Sequence, residues 1–130
     1  MDRDEMRNRT KAFAVRVIRL SQSLPSNNVG WVIGKQLIKS GTSIGANYHE
    51  ALRSSSQSHF VSIIEIALRE ACETKYWLEI LVAAEVIEKT LVADLDDECE
   101  QLIRILTATS RTAKQRLSIP NQQSAIPNQQ

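Results

Sequence analysis

From Ser26 to Ile119 no proline interrupts the chain. Proline removes a backbone donor and clashes with the preceding helical turn, so a span that long without one is open to long helices. Aromatic residues make up only 5% and glycines number four. Together these features favour an all-helical domain over a sheet protein. The 130 residues suffice for one domain with a real core.

Apolar periodicity divides the span into four helices. The first is expected over about residues 4–24, with Met6, Phe13, Val17, Leu20 and Leu24 on one face and Thr10 filling the gap. Pro25 pushes Leu24 out of the helical region and stops it. Asn27 or Asn28 can cap the second helix, which runs to about residue 52 with a core face of Ile33, Leu37, Ile44, Tyr48 and Ala51. A serine-rich break at 54–58 offers Ser54, Ser55 and Ser56 as caps for the third.

The third helix is expected over roughly 57–90 and carries two seams. Phe60, Ile64, Ala67, Ala71, Leu78 and Val82 form one. Ile63, Ile66, Trp77, Ile80 and Ala84 form the other, interrupted by Glu70 and Glu73. Two seams mean either a broad internal face or a contact with another subunit, and with them a homo-oligomer. Asp94, with Asp97 three residues on, resembles a cap for the fourth helix, whose face is Leu95, Cys99, Leu102, Leu106, Thr109 and Ala113 and which ends near Leu117. Short connections make neighbours antiparallel. The expected fold class is all-α, a left-handed up-down-up-down four-helix bundle over residues 1–118. The tail 119–130 repeats IPNQQ without an apolar face and is expected to be disordered.

One stripe of the second helix stands out. Gln36, Ser40, Ser43, Asn47 and Glu50 fall at steps of 4, 3, 4 and 3, which aligns them on one helix surface. Gly34, Gly41 and Gly45 line a neighbouring stripe. A helix interior disfavours Gly by about 1 kcal/mol relative to Ala, so these glycines imply close backbone approach in a tightly packed assembly helix. Asn47 and Glu50 read as hydrogen-bonding groups across a helix pair, or as a solvated face. Trp31 and Trp77 read as packing or interface residues, with Trp77 directed toward another subunit.

The net charge of +1 argues against coating nucleic acid by bulk charge. The distribution is uneven. Residues 1–53 carry nine Lys/Arg and four Asp/Glu, residues 54–100 three and eleven, and residues 101–130 four and none. In an up-down bundle one end therefore collects Arg3, Arg7, Arg9, Lys11, Arg53, Arg111, Lys114 and Arg116. The opposite end collects acids from Glu79 to Glu100. The basic end, with Arg53, Arg111, Lys114 and Arg116 as its site residues, is the candidate RNA surface. A plain capped loop with solubilising charges is the competing reading.

Enzymatic chemistry finds little footing. Di-iron bundles want Glu-X-X-His pairs, and neither His49 nor His59 follows a Glu by three residues. GTSIGA at 41–46 lies inside helical periodicity and lacks the Lys-Ser/Thr of a phosphate loop. No catalytic residue, cofactor or metal is assigned. Cys72 and Cys99 are expected to be reduced, partly buried thiols in a cytoplasmic protein. No run of 18 apolar residues or signal segment points to a membrane.

QLIKSGTSIGANYHEA, the serine-rich break and FVSIIEIALREACETKYWLEI together resemble the four-helix bundle proteins encoded within intervening sequences of bacterial 23S ribosomal RNA genes. The resemblance covers about residues 11–110. It rests on Gln36, Leu37, Ser40, Ser43, Ile44, Asn47 and Glu50, and on Phe60, Ile66, Ala67, Glu73 and Leu78. It implies a small cytosolic bundle assembled into a ring, most often a homopentamer. The chain is also similar to the accessory bundle protein of diversity-generating retroelements, which implies association with RNA or a ribonucleoprotein. A protein-interaction scaffold without nucleic acid is the alternative function.

Overall fold

The structure is a computed structural model and describes residues 1–118. Four helices account for almost all of them: α1 (Arg3–Gln22), α2 (Asn28–Ala51), α3 (Gln57–Ala83) and α4 (Lys89–Leu117). They pack in chain order, α1 on α2, α2 on α3 and α3 on α4, and the α1–α4 side is the sparsest. This is the all-α up-down bundle expected from the periodicity. The tail at 119–130 lies outside the described residues.

Capping chemistry sets three of the four starts. Asp2 accepts from the Glu5 amide at 2.8 Å, Asn27 from the Gly30 amide at 3.0 Å and Ser56 from the His59 amide at 3.0 Å. Each satisfies one of the orphan donors of a first helical turn. The choice between Asn27 and Asn28 thus falls to Asn27, and among the serines to Ser56.

One apolar core takes residues from all four helices, with Phe13, Leu37, Ile64, Leu78, Leu102 and Leu106 fully buried. Burying each such side chain stabilises the fold by about 1.5–3 kcal/mol before entropy is counted. Ala67 and Ala71 face the interior, as the first α3 seam requires. The second seam divides: Ile63 is buried, Trp77 is half-buried and Ile66 is exposed.

Two of the three stripe glycines of α2, Gly41 and Gly45, are explained inside the chain. A Cβ on Gly41 would lie 2.8 Å from Val17 Cγ1, one on Gly45 3.1 Å from Thr10 Oγ1, and one on Gly34 3.4 Å from Leu24 Cδ1. Thr10 and Val17 of α1 thus fill the places of missing side chains at Gly45 and Gly41, whereas Gly34 leaves room for a methyl beside Leu24, which follows α1. The close approach inferred from the glycines is therefore the α1–α2 contact.

The α3–α4 junction departs from expectation. α3 ends at Ala83 instead of near residue 90, and α4 begins at Lys89 instead of at Asp94. Glu85 adopts φ 59, the Glu85 amide donates to the Val82 carbonyl at 3.0 Å, and the Val86 amide donates to the Leu81 carbonyl at 2.9 Å. These bonds form a Schellman stop around a left-handed residue. The left-handed position is normally glycine, and its occupation by Glu concealed the stop. Asp94 is an exposed residue inside α4, and Glu88 precedes that helix without a side-chain cap bond.

Candidate functional site

The up-down path brings the start of α1, the end of α2, the start of α3 and the last turns of α4 to one end. The Gln57 side-chain Nε2 at the start of α3 donates to the Ala113 carbonyl of α4 at 3.4 Å. Tyr48, near the end of α2, feels Arg3 and Arg7 of α1. Burial nonetheless outweighs those cations and raises the Tyr48 hydroxyl above its ordinary pKa.

The four basic candidates at this end are not equivalent. Arg53, in the turn after α2, and Arg111 and Arg116, on the last turns of α4, are exposed and make no ion pair among the described residues. Lys114 is bound to Glu65 of α3. The Lys114 hydrogen bond holds the Glu65 carboxyl below its usual range, with the Ser110 hydroxyl adding at 3.4 Å. These groups line an open groove between α3 and α4 together with Arg111 and Leu68. Glu65 was not foreseen as a partner, because 49 residues separate it from Lys114 and no local spacing joins them.

Two other members of the basic set are also engaged. Arg7 pairs with Asp4 at 3.5 Å. Arg9 sends its Nε and Nη2 to the two Glu98 oxygens at 2.8 Å each, and Nη2 also reaches Gln101 at 2.7 Å. The Glu98 hydrogen bond raises the Arg9 guanidinium pKa. This fork spans the sparse α1–α4 side. At the acidic end Lys75 contacts Asp96 at 3.1 Å and Glu100 at 3.7 Å. Burial disfavours the Lys75 charge, but Asp96 and Glu100 outweigh it and leave its pKa raised.

The polar stripe of α2 splits by depth. Ser40 is buried and receives the Thr74 hydroxyl of α3 at 2.9 Å. Ser43 and Asn47 are half-buried and bond back to their own helix, at the Lys39 and Ser43 carbonyls. Gln36 is half-buried, while Glu50 is exposed. Among the described residues, Ser40 alone of the five makes a hydrogen bond across to another helix. Thr74 was missed as its partner. The available signal was a polar residue three positions after Ala71 on an apolar seam. Trp77 Nε1 donates to Glu73 at 3.3 Å, and its ring stands edge-on to Tyr76 with centroids 5.4 Å apart.

Among the described residues no group of three or more His, Cys, Asp or Glu could hold a metal ion, and no helix is long and apolar enough to cross a membrane. The fold and its surfaces define a small helical-bundle domain. The family model described as 23S rRNA-intervening sequence protein matches residues 3–108, and the chain belongs to that family. A crystal structure of a protein of unknown function from the S23 ribosomal protein family of Bacteroides thetaiotaomicron is 34% identical, with a TM-score of 0.76, covering 81% of this chain and 97% of that one. No curated protein matches the chain.

Proposed function

We propose that this chain is a non-enzymatic, ring-forming cytoplasmic bundle, a homopentamer on the family resemblance, whose basic end associates with RNA or a ribonucleoprotein. The observation that carries the RNA reading is that Arg53, Arg111 and Arg116 are all exposed at one end of the bundle and make no ion pair among the described residues. Ring symmetry repeats these three arginines once per subunit, and phosphate attraction grows with each added cation. Arginine suits the task because its planar fork matches phosphate oxygens. Lys114 contributes less, since Glu65 already neutralises it.

The test is a titration of fluorescent RNA against wild type and the Arg53→Gln/Arg111→Gln/Arg116→Gln variant at matched oligomer size. Wild-type affinity should fall steeply as salt rises, with little sequence preference, and the variant should bind more weakly with a shallower salt slope. Lys114→Gln alone should change binding less than Arg111→Gln. No wild-type binding at low salt would reject the RNA reading. The scaffold reading would then lead, favoured by the exposure of Val29 at 50% and Val32 at 51%.

A further inference from the structure

Charge also segregates across the bundle. Between Met6 and His49, the greater part of the α1–α2 hairpin, there are seven Lys/Arg and no Asp/Glu. Residues 54–100, which include α3 and the first half of α4, carry three Lys/Arg and eleven Asp/Glu. One flank of the bundle is basic and the other acidic.

Each flank also carries exposed apolar side chains. On the basic flank Val15 and Ile18 of α1, and Trp31 and Ile38 of α2, are exposed. The α1–α2 contact line is marked by Val17 against Gly41 and Leu24 against Gly34. Helical spacing places Ile18 and Ile38 on the outer side of that line, with Lys11 seven residues before Ile18 and Lys35 four after Trp31. On the other flank Ile66, Glu70, Glu73 and Trp77 follow steps of 4, 3 and 4 along α3. This stripe runs beside Gln36, Ser43 and Asn47 of α2, since the Ser40–Thr74 bond locks the two helices in that register. Glu70 is half-buried on this flank, and burial followed by the charge of Glu73 raises its carboxyl pKa although Lys39 of α2 and Arg69 of α3 oppose the shift. A further cation brought to this stripe would offset the repulsion between Glu70 and Glu73.

The two faces differ in residues and are opposite in charge. A surface that pairs with a copy of itself would set Glu70 and Glu73 against the same acids. Two unlike faces on one chain instead allow head-to-tail contact, which closes into a ring when the rotation permits. We infer that the basic apolar face of α1–α2, with Lys11 and Lys35, docks on the acidic apolar stripe of α3, with Glu70 and Glu73, of a second copy of this chain. This deepens the assembly reading and rests on it: it names the two surfaces that meet.

Charge exchange tests the pairing. Sedimentation equilibrium would be run on wild type, on Lys11→Glu/Lys35→Glu, on Glu70→Lys/Glu73→Lys and on the variant carrying all four changes. Circular dichroism would confirm that each remains helical. Both double variants should dissociate at concentrations at least about tenfold above those at which wild type does, because like charges then meet. The fourfold variant should recover assembly. Trp31→Ala should weaken assembly without loss of helicity. Normal assembly of Lys11→Glu/Lys35→Glu would overturn the inference, and if that variant also lost RNA binding, the basic flank would be a nucleic-acid surface. Failure of the fourfold variant to assemble, with helicity intact, would overturn it as well. A monomeric wild type would remove the assembly reading itself, an outcome distinct from the others.

Discussion

The Thr74 hydroxyl of α3 lies 2.9 Å from Ser40 Oγ of α2, in a buried contact between residues 34 positions apart. Each oxygen also reaches a carbonyl of its own helix, Glu70 at 2.8 Å for Thr74 and Leu37 at 3.4 Å for Ser40. Neither proton is stranded, whichever hydroxyl donates across. Ser40→Ala and Thr74→Val should each cost about 1 kcal/mol, and the double variant less than their sum, because one bond is lost only once. Urea unfolding of the four proteins at one concentration measures the coupling. Strict additivity would show that the pair contributes nothing jointly.

The α2 glycines should respond in graded fashion to alanine. A Cβ on Gly30 would sit 1.9 Å from the Pro25 carbonyl oxygen, which is backbone and cannot step aside. Gly30→Ala should be the most damaging, at about 3 kcal/mol or more. Gly41→Ala meets both Val17 methyls at 2.8 and 2.9 Å and should cost about 1–3 kcal/mol, partly recovered by adding Val17→Ala. Gly34→Ala meets only Leu24 Cδ1 at 3.4 Å and should gain up to about 1 kcal/mol from helix propensity. Thermal unfolding would rank the three.

Glu85 holds φ 59 at the end of α3, a conformation that disfavours any residue with a Cβ. Glu85→Gly should raise stability by about 0.5–1 kcal/mol, since the strain disappears while both Schellman bonds remain. Glu85→Val should lower it, because a β-branched residue fits that region worst. A melting temperature unchanged by both would show that the turn carries no strain.

The Arg9 fork on Glu98 is well shielded, with side-chain exposures of 27% and 17%. Arg9→Ala should cost about 1–3 kcal/mol and loosen the α1–α4 side, where few other contacts compensate. Arg9→Lys should recover only part of this, because an ammonium cannot span both carboxylate oxygens. Hydrogen exchange of α1 amides should report the loosening before global unfolding does.

The two cysteines should separate cleanly in reactivity. Cys99 is buried, with its sulfur 3.3 Å from the Ala71 carbonyl, and burial pushes its thiol up to about 12. Cys72 is exposed. Iodoacetamide at neutral pH should label Cys72 in the folded protein and reach Cys99 only after denaturant, as read by mass spectrometry. The sign for stability follows from the raised pKa. The unfolded thiol loses its proton near its ordinary value of about 8.5 while the folded one keeps it. The Cys99 contribution is therefore intact below that pH and falls as pH rises toward 12.

By itself the sequence determined the helices, their faces and the fold class. Met6, Phe13 and Val17, or Leu95, Cys99, Leu102 and Leu106, recur at helical spacing and are buried where that spacing puts them. Periodicity is a local property, so it needs no knowledge of the partner helix. The segregation of charge was legible for the same reason. What needed tertiary structure was every pairing between helices. That Val17 fills the space at Gly41, that Thr74 meets Ser40 and that Glu65 occupies Lys114 depend on the register of one helix against the next, which many side chains set together. The stop at Glu85 was hidden because backbone hydrogen bonds impose a left-handed residue there against its own preference. Of the four basic candidates, only the fold could divide three unpaired arginines from one engaged lysine. A residue's charge is written in the sequence, but its availability depends on which carboxylate the folded chain places beside it.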